Sequence, residues 1–296
     1  MADGSRNRRE LAGAGLVTAA VAAGLLVLGA GSGATVPSGK DHHAMIGEAR
    51  RGTLTVRIAP AVNVVVSEAR TAGRPIVVID PGHGGRDPGA MSVSGEVAEK
   101  QLTLALAREL RARLVERGRV RVALTRDGDR YMTLEERAAI ARGLGASLFL
   151  SLHMDSAPNP LARGASVYSL SDVASDAAAA RFAEAENAGG IVGAADGSVR
   201  SMLSDLALRS QMTSSADLAS RLVRKSSARV GMRPEPHRFA SFHVLRRAQV
   251  PAVLFEAGYI SNADDELLLR SPAHRAALVA GLAETIEADI ASRTRR

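Results

Sequence analysis

The chain has 296 residues, 46% of them hydrophobic, which is enough to bury a substantial core. It contains no cysteine and no tryptophan, which excludes disulfides, thiolate metal sites, a cysteine nucleophile and sugar stacking on tryptophan, so any metal must sit on histidines and carboxylates. The net charge of +7 suits a polyanion, but the sequence holds no nucleic-acid motif and its excess charge lies in scattered arginines, so an anionic cell-envelope polymer explains it equally well.

Arg6, Arg8 and Arg9 precede an uncharged run of Ala, Gly, Leu and Val from Leu11 to about Ala34. This is the pattern of the basic and hydrophobic regions of an export signal, with a small-residue cleavage site near Ser32-Gly33-Ala34. The Arg8-Arg9 pair loosely matches a twin-arginine signal, and an uncleaved membrane anchor is the alternative for a run of this length. Residues 35–73 are expected to be a polar linker with a short β-rich segment, Thr53–Ile58 and Val62–Val66, either a remnant hairpin or an edge addition to the main domain.

From about Arg74 the pattern predicts strands alternating with helices, the signature of an α/β domain with a largely parallel sheet. Strands are expected at Ile76–Ile79, Val120–Leu124, Ser147–Leu152, Ala165–Ser169, Phe242–Leu245 and Ala252–Phe255. Leu102, Leu106, Leu110 and Leu114 mark one apolar face of a helix closed by Gly118. Thr133 and Glu136 form a capping box for a second helix, and Ser271-Pro272 opens a last one with Leu278, Leu282, Ile286 and Ile290 on one stripe. A long Ala-rich helical insertion, residues 172–229, interrupts the succession of strands; an insertion of this size is either functional or disordered.

Two histidines stand at the ends of apolar strands. His83 lies in Ile79-Asp80-Pro81-Gly82-His83-Gly84-Gly85, and His153 in Ser151-Leu152-His153-Met154-Asp155. Open α/β sheets place their sites at strand carboxyl ends, so the two imidazoles could converge on one metal, with a third protein ligand completing a catalytic zinc site. Glu99, opening the leucine-faced helix, and its neighbour Glu96 compete for that place; a helix N-terminal glutamate favoured by the dipole is the ordinary alternative. Glu256 ends an otherwise apolar strand, where it is either a proton-transfer group or a strand-end glutamate reaching solvent.

Five segments, IDPGHGGRDPGA, GEVAEKQLTL, ALTRDGDRYMTLEERAAIA, LFLSLHMDSA and VPAVLFEAGYISNADDE, occur in this order across residues 75–292. Together they resemble the zinc-dependent N-acetylmuramoyl-L-alanine amidases, type 3. The resemblance implies a three-layer α/β fold with a mostly parallel six-stranded sheet and helices on both faces. It implies one Zn2+ held by His83, Glu99 and His153, with Glu99 chosen over Glu96 because it sits in the Glu-Lys pair, and Glu256 as the catalytic glutamate. Asp80 and Asp87 become supports of the ligands, and Arg126 and Arg137 a structural ion-pair set.

The implied substrate is peptidoglycan, cut between N-acetylmuramic acid and L-alanine in the periplasm or cell envelope for wall turnover or daughter-cell separation. The insertion 172–229 resembles the regulatory segment of the cell-division members, whose helix lies over the site with a glutamate on the zinc. Glu186 falls closest to that position, and a coiled-coil or peptidase-like activator would have to draw the helix away. The separate N-terminal targeting domain of those members is absent or reduced to residues 53–66. A zinc peptidase acting on stem-peptide bonds and a silent wall-binding module are the competing readings; a nucleic-acid partner is not expected, and a membrane is involved only if the signal stays uncleaved.

Overall fold

The computed structural model describes residues 64–188 and 199–294, with side chains from residue 205 in the second stretch. The expected export signal and the linker up to residue 63, with its Thr53–Ile58 piece, lie outside the described residues. In chain order the elements are β1 (Val66–Ser67), β2 (Ile76–Pro81), α1 (Glu99–Arg117), β3 (Arg121–Leu124), α2 (Leu134–Gly143), β4 (Leu148–Asp155) and β5 (Ala165–Leu170). They continue with α3 (Ala177–Asn187), α4 (Val199–Ser226), β6 (Met232–Ala240), α5 (His243–Ala248), β7 (Ala252–Tyr259), α6 (Ala263–Arg270) and α7 (Pro272–Thr294).

The strands form one sheet in the order β1-β3-β2-β4-β7-β5-β6. The neighbours β3, β2, β4 and β7 run parallel, as do β5 and β6; β1 on β3 and β5 on β7 are antiparallel. Strand side chains alternate between faces. Val77, Ile79, Leu150, Leu152, Val253 and Phe255 meet one helical layer, into which α1, α4 and α7 send leucines and isoleucines. Val78, Phe149, Tyr168 and Leu254 meet the other, covered by α2, α3 and α5. The three-layer architecture is therefore as expected.

The leucine face of α1 is buried at all four positions, and its helix ends at Gly118 in the left-handed conformation (φ 67°). Each such leucine contributes roughly 1.5–3 kcal/mol by leaving water. The Thr133–Glu136 capping box forms in both directions, satisfying backbone N–H groups that the first turn of α2 would leave unpaired.

The sheet has seven strands where six were expected. The two-residue edge strand β1 starts at Val66, the last residue of the Val62–Val66 segment, and ends at Ser67. Phe242–Leu245, expected as a strand, instead spans the cap and first turn of α5, with Phe242, Val244 and Leu245 buried against β7 and its neighbours. The sixth strand is Met232–Ala240, concealed by Pro234 and Pro236. Proline cannot donate to a ladder and is tolerated only at an edge or bulge; β6 is an edge strand with a register shift, and Glu235 beside the prolines has φ 50°.

Candidate metal centre

The β2–β4–β7 ladder aligns the site. Asp80 pairs with Ser151 and His153 with Glu256, at the carboxyl ends of parallel strands. After β2 the chain turns sharply at Gly82, where a β-carbon would overlap the His153 ring. His83 itself has φ 59°, a conformation unfavourable for a bulky residue and held only where surroundings enforce it. A bond from its Nδ1 to Asp87 Oδ2 at 3.0 Å fixes the ring. Nε2 then faces inward, buried and without a hydrogen bond.

Glu99 reaches over the strand ends from the N-terminus of α1. Its Oε1 lies 3.1 Å from both His83 Nε2 and His153 Nδ1, while Ala90 N–H donates to Oε2 and Met154 N–H to Oε1, each at 3.0 Å. Gly89 leaves room for the carboxylate, since a β-carbon there would overlap both Glu99 and His83. Burial opposes ionisation of Glu99, but its histidine contacts outweigh burial and hold its carboxyl well below the usual range. His83 is pushed up to about 10: burial opposes the charge, and Asp87, Glu99 and Glu186 overcome it. The field at this point favours a cation.

Glu186, in the last turn of α3, completes the group, with its carboxylate oxygens 4.0 Å from His83 Nε2 and 3.5 Å from His153 Nδ1. His83, His153 and Glu186 offer ligand atoms within 4.8 Å of one another. A cavity of about 300 Å³ opens beside them, lined by Asp80, His83, Tyr131, His153, Glu186 and Phe242 among others. Asn187 fixes this end of α3, donating from Nδ2 to Ser241 O and accepting from His243 N–H, both at 2.7 Å.

Glu256 is fully buried, and neither carboxylate oxygen has a hydrogen-bond partner. Burial, reinforced by Asp155, Glu99 and Glu186, raises its carboxyl well above the ordinary value. A carboxyl whose hold on a proton is strengthened in this way is the type of group that general acid–base chemistry uses.

The supporting residues differ from expectation in two respects. Asp87 does orient a histidine, but Asp80 does not touch one; it accepts from Thr125, Arg137 and Ser151. Arg137 forms the expected ion pair with Asp80 at 2.9 Å, whereas Arg126 donates to the carbonyls of Pro81, Gly82, Gly128 and Lys100. Arg126 thus braces the His83 turn through backbone oxygens. Glu96 turns away to Arg270 at 2.7 Å.

Asp155 closes the His153 motif at the end of β4. It stands two residues beyond His153, a spacing that places it on the same face of the strand. It is buried and pushed up to about 6, with the Tyr259 hydroxyl bonded to it as the largest opposing influence.

These features define an α/β protein with a candidate metal centre of two imidazoles and two carboxylates at the strand ends. A family model described as N-acetylmuramoyl-L-alanine amidase matches residues 77–288. N-acetylmuramoyl-L-alanine amidase AmiA of Escherichia coli is 35% identical over 223 residues, covering 73% of this chain and 76% of that protein. AmiC of Neisseria meningitidis is 31% identical, over 80% of this chain and 58% of that one. The solved structure of the amidase AmiC2 of Nostoc punctiforme superposes with a TM-score of 0.56 at 26% identity, covering 76% of this chain and all of the other.

The chain belongs to the N-acetylmuramoyl-L-alanine amidase family, as its five ordered motifs suggest. It is a hydrolase of peptidoglycan.

Proposed function

We propose that this amidase works with one Zn2+ held by His83, Glu99 and His153, uses Glu256 to move the proton, and is held inactive by Glu186. The carrying observation is Glu99 Oε1 at 3.1 Å from a nitrogen of each histidine, close to the roughly 3.3 Å that separates neighbouring ligands of a tetrahedral zinc. His83 Nε2, buried without a hydrogen bond, is the donor such a site requires, and Asp87 on the opposite nitrogen is the usual outer partner of a metal-binding imidazole. When bound, zinc supplies a positive charge that polarises the scissile carbonyl and acidifies a water.

Glu256 accepts a proton from the attacking water as its oxygen joins the lactyl carbonyl carbon. It returns that proton to the L-alanine nitrogen as the C–N bond breaks, leaving a carboxylate on muramic acid and a free amino terminus on the stem peptide. Its burial keeps the proton from leaking to solvent between the two transfers. Glu186 occupies the side of the centre that water and substrate must approach, and Asn187 fastens it there. Activity then requires a partner that draws α3 aside, for which the family resemblance implies a coiled-coil or peptidase-like activator.

Residues 1–34 are read as the export signal, or a membrane anchor if uncleaved, residues 35–73 as a linker with a short β-rich segment that includes β1, and residues 74–296 as the catalytic domain with its helical insertion 172–229. Among the described residues no helix is long and apolar enough to cross a membrane.

Digestion of purified peptidoglycan by the chain from Thr35, with and without zinc, tests these assignments. Intact stem peptides with free L-alanine amino termini should appear only with metal, and Glu186→Ala should release more of them than wild type. Fragments cut within the stem would identify a peptidase instead, and an unchanged rate for Glu186→Ala would remove the self-inhibition.

A further inference from the structure

Arg238 is 3% exposed, and its Nε is buried with no hydrogen-bond partner. On β6 it pairs with Tyr168 of β5, whose neighbour Ser166 pairs with Glu256, so Arg238 stands on the sheet face that carries the candidate centre. Its guanidinium lies 5.8 Å from the Tyr168 ring centroid. It pairs with the carboxylate of Asp176, the N-cap of α3.

The helix therefore brings a carboxylate to the sheet at each end, Asp176 on Arg238 and Glu186 on the two histidines. Ten residues of helix span about 15 Å, and the three strand spacings from β6 to β4 span about 14 Å. One helix can thus satisfy both places at once. Withdrawal of α3 would take that carboxylate away and uncover the guanidinium, leaving its hydrogen-bonding fork open to another carboxylate entering the vacated place.

We infer that Arg238 is a substrate-binding residue that takes a carboxylate of the stem peptide once α3 is displaced, with Asp176 holding that place in the closed state. The inference rests on the self-inhibited reading above. Arg238 lies two strands across and two residues along from Glu256, a separation of about 12 Å. Allowing for the reach of the arginine, the carboxylate it meets belongs about two or three residues from the scissile amide along an extended peptide.

Asp176→Asn and Arg238→Gln, made in the full chain, break the same ion pair from opposite sides and separate the two roles. Both should raise amide hydrogen exchange across residues 177–187. Asp176→Asn should hydrolyse zinc-supplied muropeptides with free stem carboxylates faster than wild type. Adding Arg238→Gln to it should lower kcat/KM about 10- to 100-fold, mainly through KM, as loss of a charge-assisted hydrogen bond does. Arg238→Lys should recover part of the loss, and muropeptides whose stem carboxylates are amidated should show no dependence on residue 238.

Calorimetry of the metal-free Asp176→Asn protein with released stem peptide supplies a reading independent of catalysis, and its affinity should fall with Arg238→Gln. Equal rates and equal peptide affinity with and without Arg238→Gln would overturn the inference and leave Arg238 as an anchor for α3. If no variant hydrolyses but peptide binding still depends on Arg238, the zinc mechanism fails and the carboxylate site stands. Should Arg238→Gln fail to fold, the Asp176→Asn protein decides alone: no preference for free over amidated stems would overturn the site.

Discussion

On the face covered by α1, α4 and α7 the central strands present Val77, Ile79, Leu150, Leu152, Val253 and Phe255, all packed against aliphatic side chains. On the face covered by α2, α3 and α5 the same strands present Asp80, Ser151, His153 and Glu256. One backbone builds both, because alternation sends successive side chains to opposite sides. The apolar face gains free energy from every residue it buries. The polar face spends some of that gain on Glu256 and Ser166, whose side-chain oxygens are buried without partners.

The sharpest contrast is expected from Glu256→Gln. Hydrolysis of peptidoglycan should fall about 10²–10⁴-fold, the usual contribution of a positioned acid–base group, while the thermal midpoint stays level or rises because a costly buried carboxyl is gone. A fully active, folded Glu256→Gln protein would remove Glu256 from the chemistry. Leu106→Ala, on the opposite face, should do the reverse. Denaturant unfolding should show a loss of about 2–5 kcal/mol, with activity per folded molecule retained.

Asp80 provides a pH test of the border between the two faces. Burial raises its carboxyl, but Arg137 and Thr125 outweigh burial and hold it below the ordinary value. As pH falls below about 4 the unfolded chain takes up the proton first. The stabilisation is therefore complete above that pH and is lost as pH drops through the folded value. Asp80→Asn should unfold at lower urea than wild type at pH 7, and the gap should narrow at pH 3; a gap independent of pH would show that charge is not what Asp80 contributes. The smallest effect belongs to Thr133→Ala, which removes the α2 cap and should cost about 1 kcal/mol without altering the rate of hydrolysis.

The sequence carried the apolar face almost completely, because helical and strand periodicities are written directly in residues such as Leu102, Leu106, Leu110 and Leu114. It also placed His83 and His153 correctly at strand ends, where glycine-rich or motif context marked them. What it concealed depends on tertiary position. The prolines of β6 are incompatible with a central strand and acceptable only because that strand lies at the edge. Phe242, Val244 and Leu245 are apolar enough for a buried strand, and a run this short does not distinguish strand from helix. Arg238 looked like one scattered arginine among many; only the pairing of β5 with β6 and the course of α3 set it under Asp176.

The register of β4 against β7 has a consequence for how this centre can change over evolutionary time. His153 and Glu256 are neighbours across a hydrogen-bonded ladder, so the gap between imidazole and carboxyl is gauged by peptide geometry, not by the bulk of nearby side chains. Drift among the surrounding valines and leucines leaves that gauge untouched. A single residue inserted into either strand ahead of His153 or Glu256 would instead turn the imidazole or the carboxyl to the other side of the sheet, whereas beyond them the ladder already carries a register shift. The centre is tolerant of substitution and intolerant of length.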